Sequence, residues 1–275
     1  IEIMTTVPPI EQEGQTALTL GVVGETFRVM QQSGLHARFS AKEAQLMSIE
    51  LDNPTSSVER SDEVPLFPLP NAVLFPNTTI QLHVFEKRYR RMTRDVLDQD
   101  LPIAVGLIAG SGRTTTLGQP DVHSVCGIGR VADYEELEDG RYNIYLRGTS
   151  RASIVEELDV ETPYRQAQVE RLDDSIRHPD EAEHLVKTIQ NCMFNVQAES
   201  DDVTRALTNS FRELEEPGAI ADVIGAIVFT DTIQRQKMLA QTDVITRLEG
   251  IRDRLAEMII NAFQQSEKRD QLPVN

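Results

Sequence analysis

The side chains that could act as nucleophiles or metal ligands are few and widely separated. The chain of 275 residues has two cysteines, Cys126 and Cys192, and five histidines. His123 lies three residues before Cys126, and His178 and His184 are six apart, which does not match the ligand spacing of zinc sites. No Gly-x-Ser-x-Gly motif presents a serine nucleophile. We therefore predict no catalytic residue and no metal site, and we interpret both cysteines as packing residues.

One glycine-rich segment, 106–114, comes near to a phosphate-binding loop. Its glycine spacing differs from that of the loop by one residue, and Arg113 stands where lysine is required. We interpret it as a surface loop after a buried strand, and we expect no nucleotide or other cofactor.

A basic run, Lys87-Arg88-Tyr89-Arg90-Arg91, is followed by Arg94. A basic run with an aromatic residue inside it is a plausible nucleic-acid contact. Spacings of four, three and four residues, however, place Tyr89 on one apolar helix face, and Asp95 and Asp98 follow closely. The residues of that face are Phe85, Tyr89, Met92 and Val96. We favour a structural role over RNA binding, with Arg88 paired to Glu86 or another nearby acid.

Residues 63–172 have the pattern of a mostly antiparallel β unit. The segment Val64–Asn71 contains three prolines, which predicts an edge strand because proline lacks a backbone donor. Apolar residues alternate over 80–84, which is the period of a half-buried strand. Further strand-like runs follow, and Asp139-Gly140 is a strong hairpin signal.

Residues 173–275 have the pattern of a helical bundle. Pro179 and Pro217 suit first-turn positions of helices. The last helix is predicted from about Asp243 and is long. Arg252 interrupts its apolar stripe and Ile251 offers the alternative register, and we favour packing in the core over a coiled coil.

Residues 1–62 give no clear pattern, and we expect a poorly defined N-terminal extension. The sequence opens on Ile1, so the natural start is left open, with Met4 and Met47 as alternatives.

Two segments carry a resemblance to a known family. Val64–Pro76 reads Val-Pro-Leu-Phe-Pro-Leu-Pro-Asn-Ala-Val-Leu-Phe-Pro, and Leu82–Tyr89 reads Leu-His-Val-Phe-Glu-Lys-Arg-Tyr. Together they resemble the N-terminal substrate-binding domain of Lon proteases, and the likeness extends over about 63–265. The residues that match the family motifs, for which we expect structural roles, are Pro68, Pro70, Phe85, Glu86, Arg88, Tyr89, Gly140, Arg141, Tyr142 and Gly148.

The resemblance implies an α+β fold, in which a PUA-like β-barrel-type subdomain is followed by a helical bundle with a long last helix. It also implies a non-catalytic module that binds unfolded or tagged polypeptides, or that docks on a protease or chaperone acting in trans. The ATPase and peptidase modules of Lon are not expected in this sequence. The candidate peptide contacts are Leu66, Phe67 and Leu69 on the proline-rich strand, with inward packing as the alternative, which we favour for Phe67. An RNA-binding PUA-like protein and an enzyme without a known motif are the competing hypotheses.

Charge and composition set the remaining limits. The net charge of -17 opposes non-specific binding to nucleic acid and to anionic membranes. There is no apolar run long enough for a transmembrane helix and no secretory signal pattern. With only two distant cysteines, we expect a cytoplasmic protein.

Overall fold

A computed structural model describes residues 61–110, 114, 119–197 and 214–270. The extension expected over 1–62 therefore lies almost entirely outside the described residues. The strands are β1 (Ser61–Leu69), β2 (Thr79–Val84), β3 (Ile103–Leu107), β4 (Val125–Glu136), β5 (Tyr142–Leu158) and β6 (Arg165–Leu172). The helices are α1 (Lys87–Gln99), α2 (Pro179–Gln197), α3 (Pro217–Val228), α4 (Thr232–Ala240) and α5 (Val244–Asp270). The predicted α+β class with a long last helix is confirmed.

The strands close into a ring. β5 pairs along one side with β4, and along the other side first with β2 and then with β6. β6 pairs with β1, β1 pairs in parallel with β3, and β3 pairs with β4. Because β5 is 17 residues long, it can serve both neighbours in succession. Within the described residues, β2 and the second half of β4 have a strand neighbour on one side only.

β1 is an internal strand of the ring, with β6 on one side and β3 on the other. This corrects the expectation of a proline-rich edge strand. It pairs with β6 over Ser61–Leu66 and with β3 over Leu66–Leu69. Pro65 falls in the first stretch and Pro68 in the second, so each proline has a strand neighbour on one side only. The missing donor is tolerated because the two partners succeed each other along the strand.

Adjacent residues of β1 pack into two different cores. Leu66 joins a cluster of mainly small side chains that includes Cys126 and Ala152. Phe67 and Leu69 enter the larger cluster, which contains the buried face of α1. Because successive side chains of a strand point to opposite faces, this one segment contributes residues to both clusters.

The segment after β1 is held against glycines of two strands. A Cβ atom on Gly127 would meet the Leu74 carbonyl, and one on Gly148 would meet the Phe75 carbonyl. Leu74 and Phe75 are fully buried, and Phe75 packs with Leu107 and with Leu239 of α4. Glycine is required at these strand positions because the backbones approach so closely.

A buried ion network joins the strand ring to the helices. The guanidinium of Arg151 on β5 donates two hydrogen bonds to the carboxylate of Asp222 on α3. Arg247 on α5 donates to the same carboxylate and to Asp174. Arg151, Arg247 and Asp222 are at most 2% exposed. We call these four residues the junction network.

Backbone contacts reinforce this junction. Arg151 also donates to the carbonyl oxygens of Leu239 and Gln241, at 3.1 and 3.0 Å. The side-chain amide of Gln236 on α4 donates to the Val125 carbonyl of β4 at 2.8 Å. Strands β4 and β5 therefore contact helices α3 and α4 through hydrogen bonds and ion pairs, and α5 pairs in turn with α3.

The sequence left open whether Ile251 or Arg252 belongs to the apolar stripe of the last helix. In the structure, Ile251 packs in the core of the helices. Ile251, Leu248 and Leu255 are buried, whereas Arg252 is partly exposed and pairs with Asp253. The helix spans 27 residues.

Replacing Gly148 by alanine is expected to destabilise the protein by about 1–3 kcal/mol, because the added methyl group overlaps the Phe75 carbonyl. The matched control is Gly250→Ala on α5, where the nearest atom is Met238 Sδ at 3.9 Å. This control should be neutral or stabilising by up to about 1 kcal/mol, since alanine favours helices. Urea unfolding of both variants measures the difference, and equal stabilities would contradict the close approach.

Asp222→Asn is expected to cost about 3–5 kcal/mol of unfolding free energy, because it removes the shared charge between two buried guanidinium groups. Asp253→Asn, which breaks an exposed pair, should cost less than about 1 kcal/mol. Thermal and urea unfolding followed by circular dichroism compare them. If Asp222→Asn lowered the free energy of unfolding no more than Asp253→Asn, the network would contribute nothing to the stability of the junction.

Candidate functional site

The predicted peptide contacts on β1 are not at the surface. Leu66, Phe67 and Leu69 are all 0% exposed. The inward-packing alternative is the correct one for these three side chains, because β1 is an internal strand whose two faces both meet a core.

The edge of β2 is also closed to a partner strand. In the described part of the chain, β5 is its only strand neighbour. Although no second strand pairs with β2 there, its residues 81–84 are buried. Leu82 and Val84 are 0% exposed and pack in one cluster with Tyr89 and Met92 of α1. Any polypeptide contact must therefore use exposed side chains or a different edge.

The start of α1 is built from the family-motif residues. Tyr89 is buried and stacks on Phe67, with ring centroids 4.7 Å apart. The Arg88 guanidinium lies 4.6 Å from the centre of the Tyr89 ring and pairs with Glu86 at 2.9 Å. Burial is the main cause of the raised pKa of the Tyr89 hydroxyl. The Glu86 partner expected for Arg88 is present.

The other motif residues are also placed. Pro68 is buried on β1 and Pro70 is exposed just after it. Gly140 has a φ of 75° in the turn between β4 and β5, and a Cβ there would meet the Arg90 guanidinium. The Tyr142 hydroxyl donates to Glu136 at 2.8 Å.

The arginines of α1 do not form a free basic patch. Arg91 pairs with Asp95 at 2.9 Å. Arg94 lies near the Tyr142 hydroxyl, whose pKa is raised by burial and, to a smaller extent, lowered by Arg94. Arg90 lies against the turn at Gly140. Arg88 and Arg91 are thus each paired with a carboxylate, which reduces the positive charge that the helix offers to a phosphate backbone.

Two exposed aromatic residues lie on or beside the hairpin formed by β4 and β5. We call residues 132–145 the hairpin arm. Tyr134 is 52% exposed on this arm, and Phe85, at the end of the neighbouring strand β2, is 40% exposed. The exposure of Phe85 corrects its expected place on the buried face of α1, because the helix begins only at Lys87.

A row of polar contacts crosses the outer face of the arm. Asn143 donates to Glu135 at 2.9 Å, and its Oδ1 lies 2.8 Å from His83 Nδ1. His83 Nε2 is 3.1 Å from Arg141, which also pairs with Asp139 at 2.6 Å. Because arginine can only donate, Nε2 must accept, and the imidazole proton lies on Nδ1. The row fixes the arm against β2.

The arm is strongly acidic. Five of the seven residues from Asp133 to Asp139 are carboxylates. Arg141 beside them is already paired with Asp139. Hydrogen bonds from the Arg141 backbone and side chain hold the pKa of Asp139 below its usual range. An exposed tyrosine among carboxylates is suited to contact with apolar and cationic groups.

The cysteines and acids do not assemble a reactive centre in the described residues. Cys126 is 0% exposed, and burial raises the pKa of its thiol to about 12. Among the residues that the structure describes, three or more histidine, cysteine or acidic side chains are nowhere grouped to hold a metal ion. No helix within that part of the chain has the length and apolarity to cross a membrane.

The closed ring with its helices is an α+β fold of the type found in Lon N-terminal domains. It superimposes on the N-terminal domain of the Mycobacterium avium complex Lon protease with a TM-score of 0.57, covering 71% of this chain and 98% of that one. The two sequences are 16% identical, so this likeness establishes the fold.

The family is established by the sequence. The family model of the ATP-dependent protease La (LON) substrate-binding domain matches residues 63–257, and the chain belongs to this family. Lon protease 2 of Sorangium cellulosum is 29% identical over 169 residues, which are 60% of this chain and 20% of that protein. The Lon protease of Xanthomonas oryzae is 26% identical over 189 residues, 68% of this chain and 22% of that protein. The chain spans about a fifth of the length of these relatives.

Two features of the structure were not recognised from the sequence alone. The junction network joins residues 71 positions apart in the case of Arg151 and Asp222, and no local pattern links them. The hairpin arm did carry a signal, since Asp133-Tyr134-Glu135-Glu136 places an aromatic residue among acids beside a predicted turn.

Cys126 is expected to resist thiol reagents in the folded protein at neutral pH, since a thiol with a pKa of about 12 forms almost no thiolate. Cys192 is half-buried and should react first. Titration with an aromatic disulfide reagent, with Cys192→Ser as the control, should show slow labelling that becomes fast in denaturant. Rapid labelling of the native C192S protein would contradict the buried position.

Proposed function

We propose that this chain is a non-catalytic polypeptide-recognition module that acts as an adaptor for proteolysis. The observation that carries the proposal is the match of residues 63–257 to a family whose description is substrate binding in Lon proteases. The clients are unfolded or tagged polypeptides. Unfolding and cleavage are then performed by a protease or chaperone acting in trans.

The shape of the molecule supports recognition by a preformed surface. The junction network and the buried segment around Phe75 hold strands and helices together. A rigid scaffold lowers the entropy that is lost when a flexible client binds. Phe85 and Tyr134 each offer exposed apolar area on this scaffold, where a client side chain can be covered without rearrangement.

The proposal includes a cytoplasmic site of action and no cofactor. The acidic net charge of -17 favours clients with positive or neutral segments and disfavours RNA. The pairing of the α1 arginines supports the same preference.

Fluorescence anisotropy of a labelled, permanently unfolded polypeptide tests the proposal. We expect saturable binding that single-stranded RNA does not displace. Replacing Phe85 by serine should weaken binding several-fold, because it removes an exposed apolar contact worth about 1 kcal/mol or more. Ile233→Ser is the matched control, since Ile233 is 47% exposed on α4.

The outcome that contradicts the proposal is an absence of binding to the unfolded chain. Displacement by RNA would instead favour the RNA-binding alternative. Prolonged incubation with casein, with and without ATP, should leave the casein intact, and cleavage would overturn the non-catalytic assignment.

A further inference from the structure

The second half of β4 has an open edge. β3 pairs with β4 only over Gly127–Gly129, whereas β5 continues along β4 as far as Glu136. From Ala132 to Glu136, β4 therefore has a strand on one side only, within the described part of the chain. Ala132, Tyr134, Glu135 and Glu136 are exposed, in contrast to the covered residues of β2.

The hydrogen-bond pattern shows which backbone groups face outward. The Leu137 N–H donates to the carbonyl of Arg141, the residue before β5, at 2.8 Å. In an antiparallel pair, alternate residues turn both backbone groups toward the same side. Glu135 therefore faces β5, and Tyr134 and Glu136 face the open edge. The Tyr134 N–H is covered locally by the Asp133 carboxylate at 2.9 Å, a contact that an incoming carbonyl can replace.

The charge around this edge selects its occupant. The edge residues themselves include Asp133, Glu135 and Glu136, and Glu138 and Asp139 follow in the turn. A second copy would bring the same carboxylates to the edge, and like charges facing each other across a strand pair are unfavourable. The net charge of -17 adds to that repulsion. A segment rich in lysine or arginine would instead place positive charges opposite these carboxylates, which is favourable.

We propose that an extended, cationic polypeptide segment adds as a strand to β4 at Ala132–Glu136. Main-chain hydrogen bonds to Tyr134 and Glu136 supply the pairing, and the flanking carboxylates supply the preference for basic residues. This inference rests on the proposed function and names the site and the client chemistry.

The local structure sets the length of the segment. A bulge between Val131 and Asp133 interrupts the regular pairing, and Arg130 beyond it is bonded to Asp100. The turn ends the edge on the other side. The site therefore accepts a short stretch of extended chain of the kind that unfolded or tagged clients expose.

The test uses the whole protein and a labelled short peptide of alternating lysine and valine. We expect it to bind with an affinity that falls as salt is raised, and a glutamate–valine peptide of equal length should not bind. A lysine–valine peptide with alternate backbone amides methylated keeps its charge and apolar area but loses the donors of one edge. It should bind at least about tenfold more weakly, equivalent to about 1.4 kcal/mol.

Variants of the edge provide the second measurement. Tyr134→Pro removes an outward N–H that takes no part in the pairing with β5, so the strand can tolerate it. It should weaken binding of the lysine–valine peptide about tenfold more than Tyr134→Ala does. The alanine variant removes the ring but retains the N–H. Circular dichroism and thermal unfolding verify that both variants fold, and the methylated peptide tests the same bonds without a variant.

The results separate this inference from the proposed function. Equal binding of the methylated and unmethylated peptides, or of the two Tyr134 variants, would overturn strand addition. If the unfolded polypeptide still bound to the wild-type protein, recognition would stand and its site would lie elsewhere. If neither probe bound, both proposals would fail.

Discussion

Two arginines that share one buried carboxylate hold this molecule together. Arg151 comes from the strand ring and Arg247 from the last helix, and both reach Asp222. Removing these charges from water is costly, and the cost is recovered only when the hydrogen-bonding geometry is complete. A displaced helix would leave a guanidinium buried without its partner. The network therefore specifies one orientation of strands and helices, which hydrophobic packing alone would define less sharply.

Close backbone packing extends this constraint into the ring. Gly127 and Gly148 give the space in which Leu74 and Phe75 lie, and Phe75 in turn contacts Leu239 of α4. The same few residues thus close one side of the ring and provide a contact for the helices. A molecule fixed in this way presents its surface features at constant positions. That property suits the proposed recognition of flexible polypeptides, because the protein itself need not rearrange on binding.

The treatment of strand edges connects the fold to recognition. β1 is paired on both sides in succession, and residues 81–84 of β2 are buried, with Leu82 and Val84 in the core that contains α1. The open edge of β4 is bulged, short and acidic, which are features that discourage pairing between copies. The same features leave it accessible to a partner of opposite charge. Protection against self-association and the proposed selection of a cationic client rest on one distribution of carboxylates.

The sequence by itself determined the class of the fold and the family, because these depend on local periodicity and on contiguous motifs. For Arg88, it limited the partner to Glu86 or another nearby acid. It also identified Cys126 as a small buried strand residue. Only the tertiary structure decided that Leu66, Phe67 and Leu69 face inward and that Phe85 faces out. The prolines of β1 indicate a strand with missing backbone donors. They do not show that β6 pairs with its first part and β3 with its second. Likewise, the junction of Arg151 with Asp222 and the open edge at Tyr134 depend on which elements meet in space, and no local pattern encodes contacts between distant segments.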